Sequence, residues 1–156
     1  EDHNNVRAVK LHQPKNPSPF TVTKIISAHD DVGGKKRGMN LIHIFETDGI
    51  RIGHFGDLGG PLDEEQIKAI GKLDVAMIPV GGFFTIDAKG AEELSIVLKP
   101  KIVIPMHYSS AEWGFAQLAQ VDDFLKLRKD VRRLETNTLE VTKDMQGGTI
   151  VLSYQR

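Results

Sequence analysis

Short apolar runs predict strands along the first third of the chain. The β-branched run at positions 20–27 (FTVTKIIS) predicts a strand that delivers His29 just beyond its end. Two further runs, 41–46 (LIHIFE) and 50–55 (IRIGHF), are separated by a turn sequence that contains Asp48-Gly49. An Asp-Gly pair between apolar runs predicts a β-hairpin, because glycine tolerates the positive φ of a tight turn.

Strands and helices alternate over the rest of the sequence. Apolar runs at 74–80 and 101–106 predict buried strands, and helical spacing predicts helices over 61–70, 87–98 and 115–129. The tail, 131–154, alternates enough to predict two or three antiparallel strands, with a turn at Gly147-Gly148. This order predicts an α/β protein whose chemistry lies on loops just past strand ends.

Composition restricts the partners that the chain can have. With 156 residues, 40% hydrophobic and 26% charged, it is typical of one globular domain. The net charge of −1 provides no general attraction to nucleic acid or anionic lipid. The basic clusters at 35–37 and 126–133 are therefore predicted to be solvated faces. No apolar run approaches the roughly 18 to 20 residues of a membrane span, and we expect a cytoplasmic location.

The sequence contains no cysteine. Disulfides, thiolate metal ligands and a cysteine nucleophile are therefore excluded together. A transition metal bound by this chain would need histidine and carboxylate ligands.

Three polar residues stand where predicted strands end. His29, Asp57 and His107 each open a loop that is rich in glycine or small residues. Histidine with aspartate is the ligand set of Zn, Mn or Fe in hydrolytic sites. Each residue also has an ordinary interpretation, as a hydrogen-bonded loop histidine, a turn or capping aspartate and a core histidine. His43 and His54 lie within apolar strands, and we expect them to be structural.

Together with Asp2-His3 at the start, these residues resemble the metallo-β-lactamase superfamily. Its His-x-His-x-Asp-His motif is entered here at Glu1, so that Asp2-His3 forms the closing pair. The segments 50–59 (IRIGHFGDLG), 74–82 (DVAMIPVGG) and 100–108 (PKIVIPMHY) are similar to one branch of its metal-dependent hydrolases. That branch is related to ascorbate-6-phosphate lactonase and N-acyl-phosphatidylethanolamine phospholipase D. The resemblance covers roughly the first 125 residues.

The resemblance implies a metallo-β-lactamase-like αββα sandwich. Residues 1–156 would form the carboxy-terminal two-thirds to three-quarters of a single domain, without its amino-terminal part. The first two histidines of the motif would then precede Glu1. The missing part would normally supply several strands of the first sheet. Without them, the strand at 20–27 and its neighbours would expose apolar faces and unpaired edges, which favours association. A homo-oligomer is therefore left open.

The resemblance also implies a binuclear metal site. Asp2 and His3 would be ligands of the second metal, and His107 would be its last ligand. His29 would be the third histidine of the first metal, and Asp57 would bridge the two ions. Asp2 and Asp57 are accordingly the expected catalytic residues.

Two divalent ions, zinc first with Mn or Fe as alternatives, would activate water for attack on an ester, lactone or phosphodiester. The small-molecule substrate would lie between walls at 81–85 and 108–113. No nucleic acid and no membrane span are expected. Two other functions remain open, a non-catalytic relative with an incomplete site and a small-molecule binding domain with structural histidines.

Overall fold

The computed structural model describes residues 20–154. In this part of the chain a mixed sheet of seven strands is combined with three helices. In chain order the elements are β1 (Thr21–Ala28), β2 (Met39–Thr47), β3 (Ile50–His54), α1 (Glu64–Ile70), β4 (Val75–Pro79), α2 (Ala88–Leu98), β5 (Ile102–Met106), α3 (Val121–Leu125), β6 (Val131–Arg133) and β7 (Gly148–Val151).

The strand directions bring the ends of several strands to one edge of the sheet. The spatial order is β1-β2-β3-β4-β5-β7-β6, with β2 antiparallel to both of its neighbours and all later pairs parallel. The strands β1, β3, β4 and β5 therefore point the same way. Their carboxyl ends meet at one edge, together with the amino end of β2.

The predicted hairpin is confirmed as β2 and β3. Thr47 pairs with Ile50 across a two-residue turn. Both turn residues have positive φ, 50° at Asp48 and 72° at Gly49, as a type I′ turn requires. The turn thus fixes the register that places His43 opposite His54.

The helices cover one face of the sheet, and side-chain caps set where two of them begin. Asp63 forms a capping box with Gln66, so α1 begins at Glu64 and not at Pro61 as the sequence predicted. Asp87 caps α2 by accepting a hydrogen bond from the Gly90 N–H. The core under the helices is apolar: Ile25, Ile42, Ile44, Phe55, Leu58, Ile70, Leu73, Ala76, Ile78, Val80, Ala91, Leu94, Leu98, Val103 and Phe124. Within residues 20–154, no helix is both long and apolar enough to cross a bilayer.

The predicted helix over 115–129 is wrong for most of its length. Only Val121–Leu125 is helical, and Phe115 is 67% exposed. The preceding segment is held instead by the end of the sheet, because the Ala119 N–H donates to the carbonyl of Gly81 and the Ser109 N–H to that of Ala119. These non-local bonds outweigh the helical spacing of the apolar residues.

The predicted antiparallel tail is also wrong. The strands β6 and β7 pair in parallel with each other, and β7 pairs in parallel with β5. Gly148, with a φ of 133°, begins a strand and does not close a hairpin. The tail covers a second apolar cluster on the other face of the sheet, where Val75, Ile102, Ile104 and Ile150 are buried.

Nothing within the described part of the chain, residues 20–154, covers the β1–β2 half of that second face. Exposed apolar side chains stand on it in register, with Ile26 (61% exposed) opposite Leu41 (41%) and Met39 (61%) beside them. Exposed apolar patches of this kind promote association.

We expect the 156-residue polypeptide to self-associate through this face. The substitution Ile26→Lys should shift it toward the monomer, because it places a charge in the centre of the patch. Sedimentation velocity over a concentration series measures the shift. Ile96→Lys is the control, since Ile96 is similarly exposed (59%) but lies on α2. Equal effects of both substitutions would show that the β1–β2 face is not the contact.

Candidate metal centre

Three of the residues singled out in the sequence lie together at the edge where the strands end. The Nε2 atom of His29 lies 3.8 Å from Oδ2 of Asp57. The Nε2 atom of His107 lies 3.8 Å from Oδ1 of the same carboxylate. Each oxygen of Asp57 therefore faces a different imidazole.

The backbone explains this convergence. His29 directly follows β1 and its N–H donates to the carbonyl of Gly38, while Asp57 follows β3 and His107 follows β5. His107 has a φ of 55°, a region that is sparsely populated by residues with a side chain and is enriched at functional sites. The turn at His107 ends β5 and begins the loop that carries the His107 imidazole.

The chemistry of the donor set fits a divalent metal. The Nε2 atom of His29 and the Nδ1 atom of His107 are buried and have no hydrogen-bond partner among the described residues. Buried polar nitrogens are normally paired, so these two call for a partner. Two metal–ligand bonds of about 2.1 Å can span the 3.8 Å between His29 Nε2 and Asp57 Oδ2. The same holds for Asp57 Oδ1 and the other ring nitrogen of His107, Nε2, which lies 3.8 Å from it.

The described residues alone do not complete a site. Between positions 20 and 154, no group of three or more His, Asp or Glu side chains is arranged to hold one metal ion. Each Asp57 oxygen lies near one histidine, so the described residues offer two ligands at each metal position. A stable site needs three or four ligands. Asp2 and His3, expected as ligands of the second metal, lie outside the described residues.

Asn40, which the sequence analysis did not single out, connects the strands behind Asp57. Its side-chain amide donates to the Ser27 hydroxyl and to the carbonyl of Phe55, each at 2.9 Å. Its Oδ1 atom accepts the backbone N–H of Asp57 at 3.0 Å. One half-buried side chain thus fixes the start of the Asp57 loop against β1 and β2. A polar residue at the start of an otherwise apolar strand was the available signal.

Replacing Asn40 with alanine should loosen the Asp57 loop. Three hydrogen bonds are lost, each with a net contribution of about 0.5–1.5 kcal/mol. We expect the free energy of unfolding to fall by about 1.5–4.5 kcal/mol and metal affinity to fall with it. Denaturant unfolding and a metal titration measure the two effects. Asn137→Ala, at an exposed position, is the control; unchanged metal affinity in Asn40→Ala would refute the positioning role.

Two glycines allow the loops that carry the histidines to pack closely. A Cβ atom added to Gly59 would overlap the backbone between His29 and Asp30. A Cβ atom added to Gly81 would overlap the carbonyl of His107. The loop after β3 therefore lies against the His29 backbone, and the loop after β4 lies against the His107 backbone. The Gly-Gly pairs that follow GDL and PV were the sequence signal for these contacts.

The carboxylate of Asp30 organises the loop between β1 and β2. Its Oδ1 atom accepts the backbone N–H groups of Val32 and Gly34, and its Oδ2 atom accepts those of Lys36 and Arg37, at 2.7–3.0 Å. Burial by itself would raise the pKa of the Asp30 carboxyl. The four backbone donors outweigh it and lower that pKa from 3.8 to about 2.

Asp30 should therefore stabilise the fold in a pH-dependent way. A carboxyl whose pKa is lowered in the folded state contributes stability above its unfolded pKa, and this is lost as the pH falls through the folded pKa. Asp30→Asn should unfold more easily at pH 7, and its difference from wild type should shrink between about pH 4 and pH 2. Denaturant unfolding at a series of pH values measures this. Asp31→Asn is the control, and a wild-type difference for Asp30→Asn that does not change with pH would contradict this role.

His43 and His54 lie closer to the candidate metal centre than their positions within apolar strands suggested. They line a cavity of about 380 Å³ together with His29 and Asp57. The Nδ1 atom of His54 accepts the N–H of Gly56 at 3.1 Å, which gives it the structural role that we expected. Burial and the neighbouring His43 lower the pKa of His54 and so favour its neutral form.

Aromatic side chains border the centre on the other side of His107. The Phe84 ring lies 6.5 Å from the His107 ring, in an edge-on arrangement. Phe83 and Phe115 pack on Phe84 at 4.6 and 6.2 Å. The expected wall at 81–85 thus adjoins the centre.

The second expected wall, at 108–113, lies beside a separate cavity of about 450 Å³. There Trp113 packs against Tyr108 at 5.2 Å and against Tyr154 at 5.1 Å.

Comparison with known proteins gives matches over most of the chain. Residues 1–107 match a family profile described as the β-lactamase superfamily domain. A UPF0173 metal-dependent hydrolase of Thermoplasma acidophilum is 45% identical over 62 residues, which is 40% of this chain and 28% of that protein. A protein of the same description from Thermococcus onnurineus is 39% identical over 91 residues, 57% of this chain and 41% of that protein. The chain thus covers less than half the length of either relative.

A solved structure resembles most of this chain. The protein, from Thermotoga maritima, is provisionally named a Zn-dependent hydrolase of the metallo-β-lactamase superfamily. The similarity has a TM-score of 0.73 and 36% sequence identity, and covers 85% of this chain and 64% of that one.

Proposed function

The chain belongs to the β-lactamase superfamily domain family, and from this premise we propose that the whole protein is a metal-dependent hydrolase with a binuclear centre at Asp57. The proposal includes the small-molecule ester, lactone or phosphodiester substrate that the sequence suggested. The branch related to ascorbate-6-phosphate lactonase remains a prediction, since the relatives described above are UPF0173 hydrolases.

The position of the Asp57 carboxylate carries the proposal. Its two oxygens each lie 3.8 Å from an imidazole nitrogen, one of His29 and one of His107. A carboxylate between two imidazoles is suited to bridge two cations, because one group then offsets charge at both positions. We assign His29 to the first ion and His107 to the second, with Asp2 and His3 as further ligands of the second.

Zinc is the metal that we favour. The ligands are histidine and aspartate with no cysteine, a set that Zn shares with Mn and Fe. The name of the Thermotoga maritima relative specifies zinc for that protein. When bound, such ions supply Lewis acidity that activates water at neutral pH.

The residues of this chain hold the reacting groups in place. Asp57 would balance the charge of the bound cations, and Asn40 accepts the backbone N–H of Asp57 and so holds its backbone in place. Phe84 borders the centre beside His107, with its ring 6.5 Å from the imidazole ring. Asp2 and Asp57 are the side chains that we propose to touch the reacting atoms.

Metal content and hydrolysis by the full-length protein test this function. We expect two equivalents of divalent metal, hydrolysis of ester, lactone or phosphodiester substrates, loss of turnover after chelation and recovery on adding zinc. Two bound metals without turnover on any of the three classes would instead identify a non-catalytic relative. A protein that binds no metal would contradict the centre itself and favour a binding domain.

A further inference from the structure

An arginine stands over the aromatic wall beside the candidate centre. The guanidinium carbon of Arg37 lies 5.6 Å from the centre of the Phe84 ring, and the Phe84 ring lies 6.5 Å from that of His107. Phe84 therefore separates the cation from the candidate ligand by the width of one side chain. A substrate bound at His107 could extend along Phe84 to Arg37.

The backbone holds Arg37 in this position. Its N–H donates to Oδ2 of Asp30 at 2.8 Å, and the same oxygen accepts the N–H of Lys36 at 2.8 Å. The loop closes where the carbonyl of Gly38 accepts the N–H of His29. The base of the arginine is thus tied to the same loop that begins at His29.

In the described part of the chain, the carboxylates near Arg37 are engaged with other groups. Asp30 uses both of its oxygens on four backbone N–H groups. Asp31 pairs with Lys36 at 3.3 Å. Among residues 20–154, no carboxylate forms an ion pair with Arg37, and its guanidinium lies over the Phe84 ring.

A cavity lies between this loop and the aromatic wall. Its volume is about 330 Å³, and Lys36, Arg37, Phe83 and Phe84 are among its lining residues. Gly59, which packs on the His29 backbone, also lines it. Asp30 and Asp31 line it as well, but Asp30 is hydrogen-bonded to four backbone N–H groups and Asp31 is paired with Lys36. The cavity thus combines the Arg37 guanidinium, aromatic faces and proximity to the centre. A planar guanidinium binds carboxylate and phosphate through paired hydrogen bonds.

We propose that the substrate carries an anionic group, a carboxylate or a phosphate, which Arg37 binds while Phe84 packs on the part between that group and the scissile bond. This inference rests on the proposed hydrolase function and specifies its substrate class. Arg37 is then a specificity-determining residue. The basic cluster at 35–37, which the sequence predicted to be a solvated face, would contribute this one residue to the substrate site.

Direct binding to the metal-free, full-length protein tests the proposal independently of hydrolysis. The probes are phenyl phosphate, phenylacetate and, as a neutral match, benzyl alcohol. We expect at least one of the anions to bind and to shift the Arg37 side-chain resonance in a nuclear magnetic resonance titration, with benzyl alcohol binding at least about tenfold more weakly. Binding of phenyl phosphate alone would assign the site to phosphate, and binding of phenylacetate alone to carboxylate.

Two charge-removing variants make the test specific. Arg37→Gln should raise the dissociation constant of the bound anion at least about tenfold. Lys35→Gln removes the same charge from the same loop but at a position that does not line the cavity, and it should change the constant by less than about twofold. Equal effects of the two variants, equal binding of benzyl alcohol, or no binding of either anion would overturn the proposal.

The same variants separate this proposal from the proposed function. If Arg37 binds anions as expected but the metal-loaded protein hydrolyses nothing, the hydrolase assignment fails and the anion site stands. If the enzyme is active, Arg37→Gln should raise KM for p-nitrophenyl hemisuccinate, with a free carboxylate, and leave KM for neutral p-nitrophenyl butyrate unchanged. A loss shared equally by both esters would count against the anion site while leaving the hydrolase assignment intact.

Discussion

Asp57→Ala is expected to abolish the binding of both metal ions by the full-length protein. The carboxylate lies 3.8 Å from a histidine nitrogen on each side. In the proposed centre its removal would therefore take one ligand from each ion at once. Changes in groups that only orient ligands weaken metal binding about 10- to 100-fold. Loss of a bridging ligand should exceed this range for both ions. Competition titration with a chromophoric chelator gives both affinities.

Asp31→Ala is the matched control for this substitution. Asp31 is an exposed carboxylate in a neighbouring loop, and its ion pair is with Lys36. Asp30 would be a poor control, because its carboxylate holds four backbone N–H groups and its removal would disturb the loop next to His29. Retention of one tightly bound ion in Asp57→Ala would show that Asp57 serves a single metal.

Gly81→Ala and Gly59→Ala are expected to damage the centre without removing any ligand. The new Cβ atom would overlap the His107 carbonyl in the first variant and the backbone at His29 in the second. Neither backbone can yield without moving its histidine. Overpacking of this kind costs about 1–3 kcal/mol or more. We expect a loss of this size in the free energy of unfolding, together with weaker metal binding.

Gly90→Ala provides the contrast. Gly90 lies in α2, and an added Cβ atom would meet the Ile86 Cβ atom at 3.2 Å, a tight contact but not an overlap. Alanine also gains about 1 kcal/mol over glycine in helix propensity, which offsets that contact. Denaturant unfolding and a zinc titration compare the three variants. Wild-type stability and zinc affinity in Gly81→Ala would show that the loops after β4 and β5 do not depend on close packing.

Local patterns were sufficient for the strands that carry the site. The apolar runs predicted β1 to β5 within a few residues, and Asp48-Gly49 predicted the hairpin, because turn chemistry and strand propensity are properties of adjacent residues. The expected metallo-β-lactamase-like fold is confirmed by the similarity to the Thermotoga maritima structure over 85% of the chain.

The errors occurred where distant contacts decide the structure. The helical spacing over 115–129 gave way to hydrogen bonds with the loop after β4, and the tail joined the sheet in parallel because β5 offered a free edge. No local pattern reports on either contact.

For the site, strand-end positions placed His29, Asp57 and His107 together, and the resemblance suggested a metal role for each. The residues that position them were missed. Asn40 acts through groups 13 to 17 residues away, and Gly59 and Gly81 act through backbone contacts with loops from other strands. The sequence pattern did not distinguish Arg37 from the other basic residues of the cluster at 35–37. Their roles depend on three-dimensional packing, which a pattern along the chain does not encode.

We propose that the Asp57 carboxylate joins two metal ions, one held with His29 and the other with His107. Anomalous diffraction from a crystal of the zinc-loaded full-length protein, recorded on both sides of the zinc absorption edge, tests it most directly. The claim requires two anomalous peaks, one within about 2.2 Å of both Asp57 Oδ2 and His29 Nε2 and the other equally close to Oδ1 and His107 Nε2. A single peak, or peaks that do not touch Asp57, would contradict it.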